Sequence, residues 1–415
     1  MVPKGWTLGT LNDLADTIMG YAFRSEDFVP TGIPLLRMGN LYQNSLDLNR
    51  NPVYLPDSFK VDYKRFLVKP GDLVMSMTGT MGKRDYGFTV EIPSNTQYTL
   101  LNQRVLKIVP KNNSNSGYIL NLLRSELILS VLYSFPGGTK QANLSAKQVQ
   151  ELPVLIPPLA EQKKIAEILS IWDKAISVTE KLLANSQQQK KALMQQLLTG
   201  KKRLLDENGV RFSGEWKITK LIQMGKVVSG GTPDTNMAMY WEGDILWLTP
   251  TDVTALTGRF VSNTSRKITP AGLLNSSAVL LPKGSLMVCT RATIGALAIS
   301  TSEICTNQGF KNIIPNEGFN IEFIYYLLQM NTNEMIKKSS GSTFLELSKK
   351  DFETLSFSCP FIKEQQKIAA VLSAADTEIS TLEKKLACLK DEKKALMQQL
   401  LTGKRRVKVD EAVAA

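Results

Sequence analysis

Lys190-Lys191-Ala192-Leu193-Met194-Gln195-Gln196-Leu197-Leu198-Thr199-Gly200-Lys201 recurs without a change as Lys393 through Lys404, 203 residues further on. At the same offset Glu161-Gln162 meets Glu364-Gln365, Ile165-Ala166 meets Ile368-Ala369, and Leu169-Ser170 meets Leu372-Ser373. Across residues 161–204, 27 of 44 positions are identical with no gap, so the segment is a duplication. A long-period repeat sets the architecture of the chain that carries it.

The repeated segment has a heptad rhythm. Ile165, Leu169, Trp172, Ile176, Thr179, Leu183, Ser186, Lys190, Leu193 and Leu197 follow alternating steps of four and three, and so do Ile368, Leu372, Ala375, Ile379, Leu382, Leu386, Leu389, Lys393, Leu396 and Leu400. Neither stretch contains Pro or Gly. Pro157-Pro158 and Pro360 stand before them, and Gly200 and Gly403 stand where a C-terminal cap belongs. Each therefore reads as one helix of about 38 residues, roughly 57 Å long at about 1.5 Å per residue. One copy alone cannot bury its stripe, so the two are expected to pack together as a coiled coil, and the two-fold character of the repeat favours an antiparallel pair. Lys190 and Lys393 fall on the seam: either they set its register, or the seam has splayed open there.

Outside the helices the repeat is looser. Trp6, Leu11 and Gly20 match Trp216, Leu221 and Gly230 at offset 210; Ile33-Pro34-Leu35-Leu36 sits where Gly243-Asp244-Ile245-Leu246 sits. Pro70 to Val74 parallels Lys283 to Met287 at offset 213, Asn102-Gln103 parallels Asn307-Gln308 at 205, and Gly138 to Ser145 parallels Gly341 to Ser348 at 203. The offset drifts only within the globular parts, as expected if helix length matters and loop length does not. Candidate strands (73–77, 104–109, 285–289, 311–314) alternate with turn signals, and helical patterns lie at Tyr118–Tyr133 and Ile321–Lys338. The fold class is α+β: two α/β heads with a pseudo-two-fold internal repeat, separated by two long helices. The division is 1–158 for the first head, 159–203 for the central helical region, 204–360 for the second head, 361–407 for the C-terminal helical region and 408–415 for a tail.

Composition narrows the function. With no histidine in 415 residues, Ser-His and Cys-His nucleophiles and His-ligated metal enzymes are excluded. Cys289, Cys305, Cys359 and Cys388 form no CxxC pair and read as reduced thiols. Neither GxGxxG nor GxxxxGK[ST] occurs. Met77-Thr78-Gly79-Thr80-Met81-Gly82-Lys83 is loosely phosphate-like, but its counterpart at Arg291–Gly295 has no lysine and a scaffold turn explains both. Asp57 and Asp62 have no carboxylate equivalents in the second half, and the Asn-Pro-Pro-aromatic motif of adenine methyltransferases is missing. The chain is accordingly expected to catalyse nothing, to hold no metal and no cofactor of its own and, lacking a secretory leader pattern or a membrane-length apolar run, to remain in the cytoplasm.

Fifty Lys and Arg against 38 Asp and Glu give a net charge of +12, which suits a polyanionic partner. Base-reading residue types crowd the loops. In the first half the candidate DNA contacts are Arg37, Asn40, Lys60, Lys64, Arg65, Lys83, Arg84, Tyr86, Lys140 and Gln141; in the second they are Thr249, Thr251, Asp252, Arg259, Arg266, Lys267, Arg291 and Ser342. The tips 136–141 and 339–343 could bring backbone N–H groups to phosphate. Taken singly, each residue is also compatible with an ordinary solvated surface.

The arrangement resembles the specificity subunits of type I restriction-modification enzymes. The resemblance rests on the duplicated Glu-Gln-x-x-Ile-Ala-x-x-Leu-Ser (161–170 and 364–373) and the Lys-Ala-Leu-Met-Gln-Gln-Leu-Leu-Thr-Gly-Lys ends. Looser support comes from Gly32 to Arg37 with Gly39-Asn40, Gly231-Thr232-Pro233 with Tyr240-Trp241 and Gly243-Asp244-Ile245, and the Asn-Gln pairs. It covers essentially the whole chain; Trp172 facing Ala375, and a more apolar second seam, are the departures. It implies two target recognition domains, each reading half of a split asymmetric double-stranded DNA site. It also implies helices that fix the spacing and dock two methyltransferase subunits, and motor-nuclease subunits that join them. S-adenosylmethionine, ATP and Mg²⁺ would belong to those partners. A coiled-coil adaptor whose heads bind proteins, or a DNA-binding protein outside any restriction system, is the other reading of the same architecture.

Overall fold

A computed structural model describes residues 2–135, 141–341 and 345–409. The two long helices run Leu159–Leu197 and Ile362–Leu401. The chain divides into two compact units, Met1–Glu180 with Lys384–Ala415, and Lys181–Glu383. Each unit thus holds one head, the first half of the helix that follows it, and the last half of the other helix.

In the first unit, Ala15–Met19, Val105–Pro110, Leu73–Ser76 and Thr89–Glu91 form an antiparallel sheet. A second sheet has the order Tyr54–Leu55, Ile33–Leu36, Thr99–Leu101, Leu67–Val68, with its central pair parallel. The second unit repeats the plan. Gly225–Ser229, Phe310–Pro315, Leu286–Cys289 and Leu297–Ser300 correspond to the first sheet, with Phe260–Val261 added at one edge. Arg266–Ile268, Trp241–Leu248 and Cys305–Thr306 form the smaller sheet. Register corrects one sequence alignment. Leu101 lies opposite Leu36, and its counterpart Thr306 lies opposite Leu248, so Leu36 corresponds to Leu248 and not to Leu246. The longer strand Trp241–Leu248, irregular between Trp241 and Ile245, absorbs the two extra residues.

The two helical patterns are each broken. Ser116–Arg124 and Glu126–Ser134 meet at an extended Ser125, whose hydroxyl donates to the Leu122 carbonyl, and Ile321–Met330 gives way to Thr332–Lys337 at Asn331.

Both units pack their helix halves antiparallel. In the first, Asp173 pairs with Lys393 at 2.6 Å and Glu180 with Lys390 at 2.7 Å; in the second, Asp376 pairs with Lys190 at 2.5 Å and Ser186 donates to Glu378 at 2.9 Å. In each pairing a rising number on one helix meets a falling number on the other. Lys190 and Lys393 are therefore ion-paired seam residues, at positions where the helices stay together. The head cores run directly into these helices. Ile165, Leu169, Met397, Leu400 and Leu401 share a core with Trp6, Leu11 and Tyr118, while Ile368, Leu372, Leu197 and Leu198 share one with Leu221, Phe323 and Tyr326.

The residues kept identical in the repeat form the joint. Glu161 accepts from Trp6 Nε1 at 3.2 Å and from Arg406; Glu364 accepts from Trp216 Nε1 at 3.3 Å and from Arg203. Gln162 and Gln365 accept from the backbone N–H of Asn115 and Asn320, both at 3.0 Å, and donate to the carbonyls of Pro157 and Pro360. These amides fix where each helix starts against its own head.

Candidate nucleic-acid interface

The first head carries a cleft of roughly 930 Å³ whose lining includes Arg37, Asn40, Tyr42, Arg50, Asn51, Thr78, Thr80, Asn102, Gln103, Arg104 and Gln141, with Asp85 as its single carboxylate among the described residues. That carboxylate is occupied by the Thr80 N–H at 2.7 Å. Three arginines face this concavity in different states. Arg37 donates to the Asn51 carbonyl, and Arg50 lies over the Tyr42 ring at 5.2 Å. Arg104 is exposed, with no side-chain partner among the described residues.

The sequence candidates scatter into groups. Arg37 and Gln141 line the cleft, but Asn40 is buried and organises the loop: its amide oxygen accepts from the Arg37 N–H, and its nitrogen donates to the carbonyls of Asp47 and Arg50. Lys60, Lys64 and Arg65 are exposed on a helical turn backed by a knot of rings in which Tyr63 stands 4.9 Å from Tyr21, Phe23 and Phe59. Lys83 is exposed; Arg84 pairs with Glu126 at 3.1 Å. Tyr86 is buried edge-on against Tyr133, and burial, with Asp85 adding to it, raises its phenol above the usual range, which makes it a core residue and not a surface contact. Lys140 and Ser342 lie outside the described residues, as do most of the two tips.

In the second head Asp252 does what Asn40 does in the first. It accepts from the Thr249 N–H and hydroxyl and from the Ser265 N–H, capping the turn Pro250–Thr254. Burial alone would raise its carboxyl, but those hydrogen bonds outweigh it and hold the pKa below the ordinary value. Thr251 is exposed, and Lys267 is half-buried. Arg259 turns inward: it pairs with Glu322 at 2.8 Å and Asp376 at 3.5 Å, so its guanidinium ties the head to the second helix and is not presented outward. Arg266 is exposed and stacked on Trp241 at 3.7 Å, and Arg291 is exposed without a side-chain partner among the described residues.

The sequence reading missed Arg104, Arg50 and Tyr42. A signal for Arg104 was present: it follows the repeated Asn-Gln pair directly, where the second copy has Gly309.

Among the described residues no group of three or more His, Cys, Asp or Glu converges as a metal site, and no helix is long and apolar enough to cross a membrane. Two equivalent heads with unlike polar surfaces, each clamped by the same residues to the helix halves of its own unit, define a duplicated two-headed scaffold.

The type I restriction modification DNA specificity domain matches residues 3–185 and again 213–390, and the chain belongs to that family. It is 40% identical over 172 residues to the type I restriction enzyme MjaIX specificity subunit of Methanocaldococcus jannaschii, covering 41% of this chain and 40% of that protein. It is 29% identical over 273 residues to the type I restriction enzyme EcoR124I/EcoR124II specificity subunit of Escherichia coli, covering 63% and 62%. The matched stretches thus span less than two thirds of either relative. The fold is also that of the crystal structure of the type I restriction-modification system S subunit from M. genitalium, with a TM-score of 0.61 at 14% identity over 96% of both chains.

Proposed function

We propose that this chain is the DNA-reading subunit of a type I restriction-modification enzyme. Each head reads one half of a bipartite, asymmetric duplex site, and the helix pair sets the gap between the halves and docks two methyltransferase subunits. Motor-nuclease subunits join that core. The chain itself is non-catalytic, with S-adenosylmethionine, ATP and Mg²⁺ bound by its partners in the cytoplasm. The functional divisions are 1–158 and 204–360 for reading, and 159–203 and 361–407 for spacing and docking.

One observation carries this reading. The residues shared by the two copies point inward to the joint (Glu161, Gln162 and Arg406; Glu364, Gln365 and Arg203), while the outward residues differ between heads. A scaffold held constant beneath two divergent basic surfaces suits two different sequences of one polyanion. Titrating the purified chain against random duplexes tests it. Binding should weaken by orders of magnitude between roughly 50 and 200 mM salt as released counterions lose their advantage. Salt-insensitive binding or none would favour a protein-binding adaptor, and methyl transfer from S-adenosylmethionine by the chain alone would remove the non-catalytic assignment.

A further inference from the structure

The two heads build the loops 102–104 and 307–309 from the same hydrogen bonds. In the first, the Asn102 N–H donates to the Leu36 carbonyl at 3.0 Å, and the Met77 N–H donates to the Arg104 carbonyl at 2.9 Å. In the second, the Asn307 N–H donates to the Leu248 carbonyl at 3.1 Å, and the Thr290 N–H donates to the Gly309 carbonyl at 2.9 Å. Gly20 and Gly230 make room for these loops: a Cβ on either would come within 1.9 Å of the carbonyl oxygen of Asn102 or Asn307. The scaffold position is one; the side chains on it are not.

Where the first head has Arg104, the second has Gly309. Where the second has Arg291, the strand register gives the first Thr78. A Cβ built on Gly309 would lie 3.9 Å from the Cβ of Arg291, so the second head delivers its guanidinium to the same place from the neighbouring strand. Both arginines stand at left-handed turns. Arg104 itself has φ 72°, and Arg291 precedes Ala292 at φ 61°. Non-glycine residues are held there only where the surroundings over-determine them, and such strain gathers at functional sites. Among the described residues neither guanidinium has a partner, whereas Arg37, Arg50, Arg259 and Arg266 all do.

We propose that Arg104 and Arg291 are the equivalent base-reading arginines of the two heads, each recognising a guanine in the major groove of its own half-site. A guanidinium on a pinned backbone can donate two parallel hydrogen bonds to O6 and N7 of guanine, a pattern no other base presents. This rests on the DNA-reading assignment above and adds to it one base in each half and the residue that reads it.

Selection of the full chain against a randomised duplex library tests it, with Arg104→Gly and Arg291→Ala as variants. Glycine accepts the left-handed φ without strain, so Arg104→Gly should fold at least as well as the parent, which thermal unfolding checks. The parent should enrich a bipartite sequence with a guanine in each half. Arg104→Gly should lose about tenfold to a hundredfold discrimination at one guanine and leave the other half intact, and Arg291→Ala should do the reverse. Variants that enrich the same guanines, or that lose affinity equally for every duplex as phosphate contacts do, overturn the proposal. A parent chain that enriches no sequence overturns the DNA-reading assignment itself.

Discussion

The joint between each head and its helices can be broken one residue at a time, and Arg203 is the informative place to do so. Its Nε and a terminal nitrogen grip the two oxygens of Glu364 at 2.6 and 2.7 Å, and the same terminal nitrogen reaches the Gly214 carbonyl at 2.9 Å. The Glu364 side chain is only 3% exposed, so Arg203→Ala would strand a carboxylate that water cannot reach. Losing one partner of a buried pair costs about 3–5 kcal/mol, which by the conversion of about 1.4 kcal/mol per decade is roughly two to nearly four orders of magnitude in the local opening constant. The pseudo-equivalent Arg406→Ala should cost less, about 1–2 kcal/mol, because Arg406 is 41% exposed and its pair with Glu161 is partly screened. Hydrogen exchange read by mass spectrometry resolves the two joints in one molecule. Arg203→Ala should accelerate exchange around residues 204–221 and 362–372 while segments near Trp6 and Glu161 keep their protection. Exchanging both partners, Arg203→Met with Glu364→Leu, should recover most of the loss, since an apolar pair of similar volume removes the stranded charge along with its partner. A loss below about 1 kcal/mol, equal acceleration at both joints, or no recovery in the double variant would refute the reasoning.

Exchanging residues 204–360 for the corresponding head of a relative should change one half of the selected duplex sequence and preserve the other; alteration of both would rule out independent heads. Inserting one heptad in each long helix adds about 10 Å of rise, roughly three base pairs at about 3.4 Å each, so the selected gap should lengthen by about that much, and an unchanged gap removes the ruler. Arg259→Met should lower the thermal stability of the second unit by about 2–3 kcal/mol, because Glu322 and Asp376 lose a partner in a pocket where Arg259 is 14% exposed, yet leave the selected sequence the same. Cys289, Cys305 and Cys359 are buried, with thiols pushed up to about 12, while Cys388 is exposed, its thiol raised by its hydrogen bond to the Glu392 carboxylate; an aromatic disulfide reagent near pH 8 should therefore reach only Cys388, and slowly, until the chain is unfolded. Rapid native labelling of all four would contradict the packing.

The helices were legible because their signal is periodic and local. Each of the twenty seam residues read from the heptad pattern is buried or half-buried. The pairing of Lys190 with Asp376 and of Lys393 with Asp173 was not legible, since each partner comes from the other copy and only an antiparallel alignment brings them together. The heads were harder for a chemical reason. Asn and Asp recognise base edges, but they also cap turns, and composition does not separate the two uses. Asn40 and Asp252 turned out to be the same cap written with different residues, visible only once strand register had moved the alignment by two. Arg259 is a basic loop residue in sequence whose acidic partners lie 63 and 117 positions away.

That contrast explains why the duplication survives so unevenly. A side chain that closes a buried joint is constrained by every atom around it: Glu161 must meet Trp6 and Arg406 together, and a shorter or neutral replacement leaves a donor unmatched. A side chain such as Arg104 is exposed and has no hydrogen-bond or ion-pair partner among the described residues, so the fold is indifferent to it once its backbone is pinned, and Gly309 occupies the matching place with the same backbone hydrogen bonds. Selection for a new target can then act on such positions without a stability cost, while the joint stays fixed. Identity between the copies should therefore track burial at the head–helix joint, and difference should track exposure in the loops of the heads. Where that rule breaks, as at the half-buried Arg259, the explanation lies in the extra edge strand Phe260–Val261, since the residue just before it reaches Asp376 on the long helix.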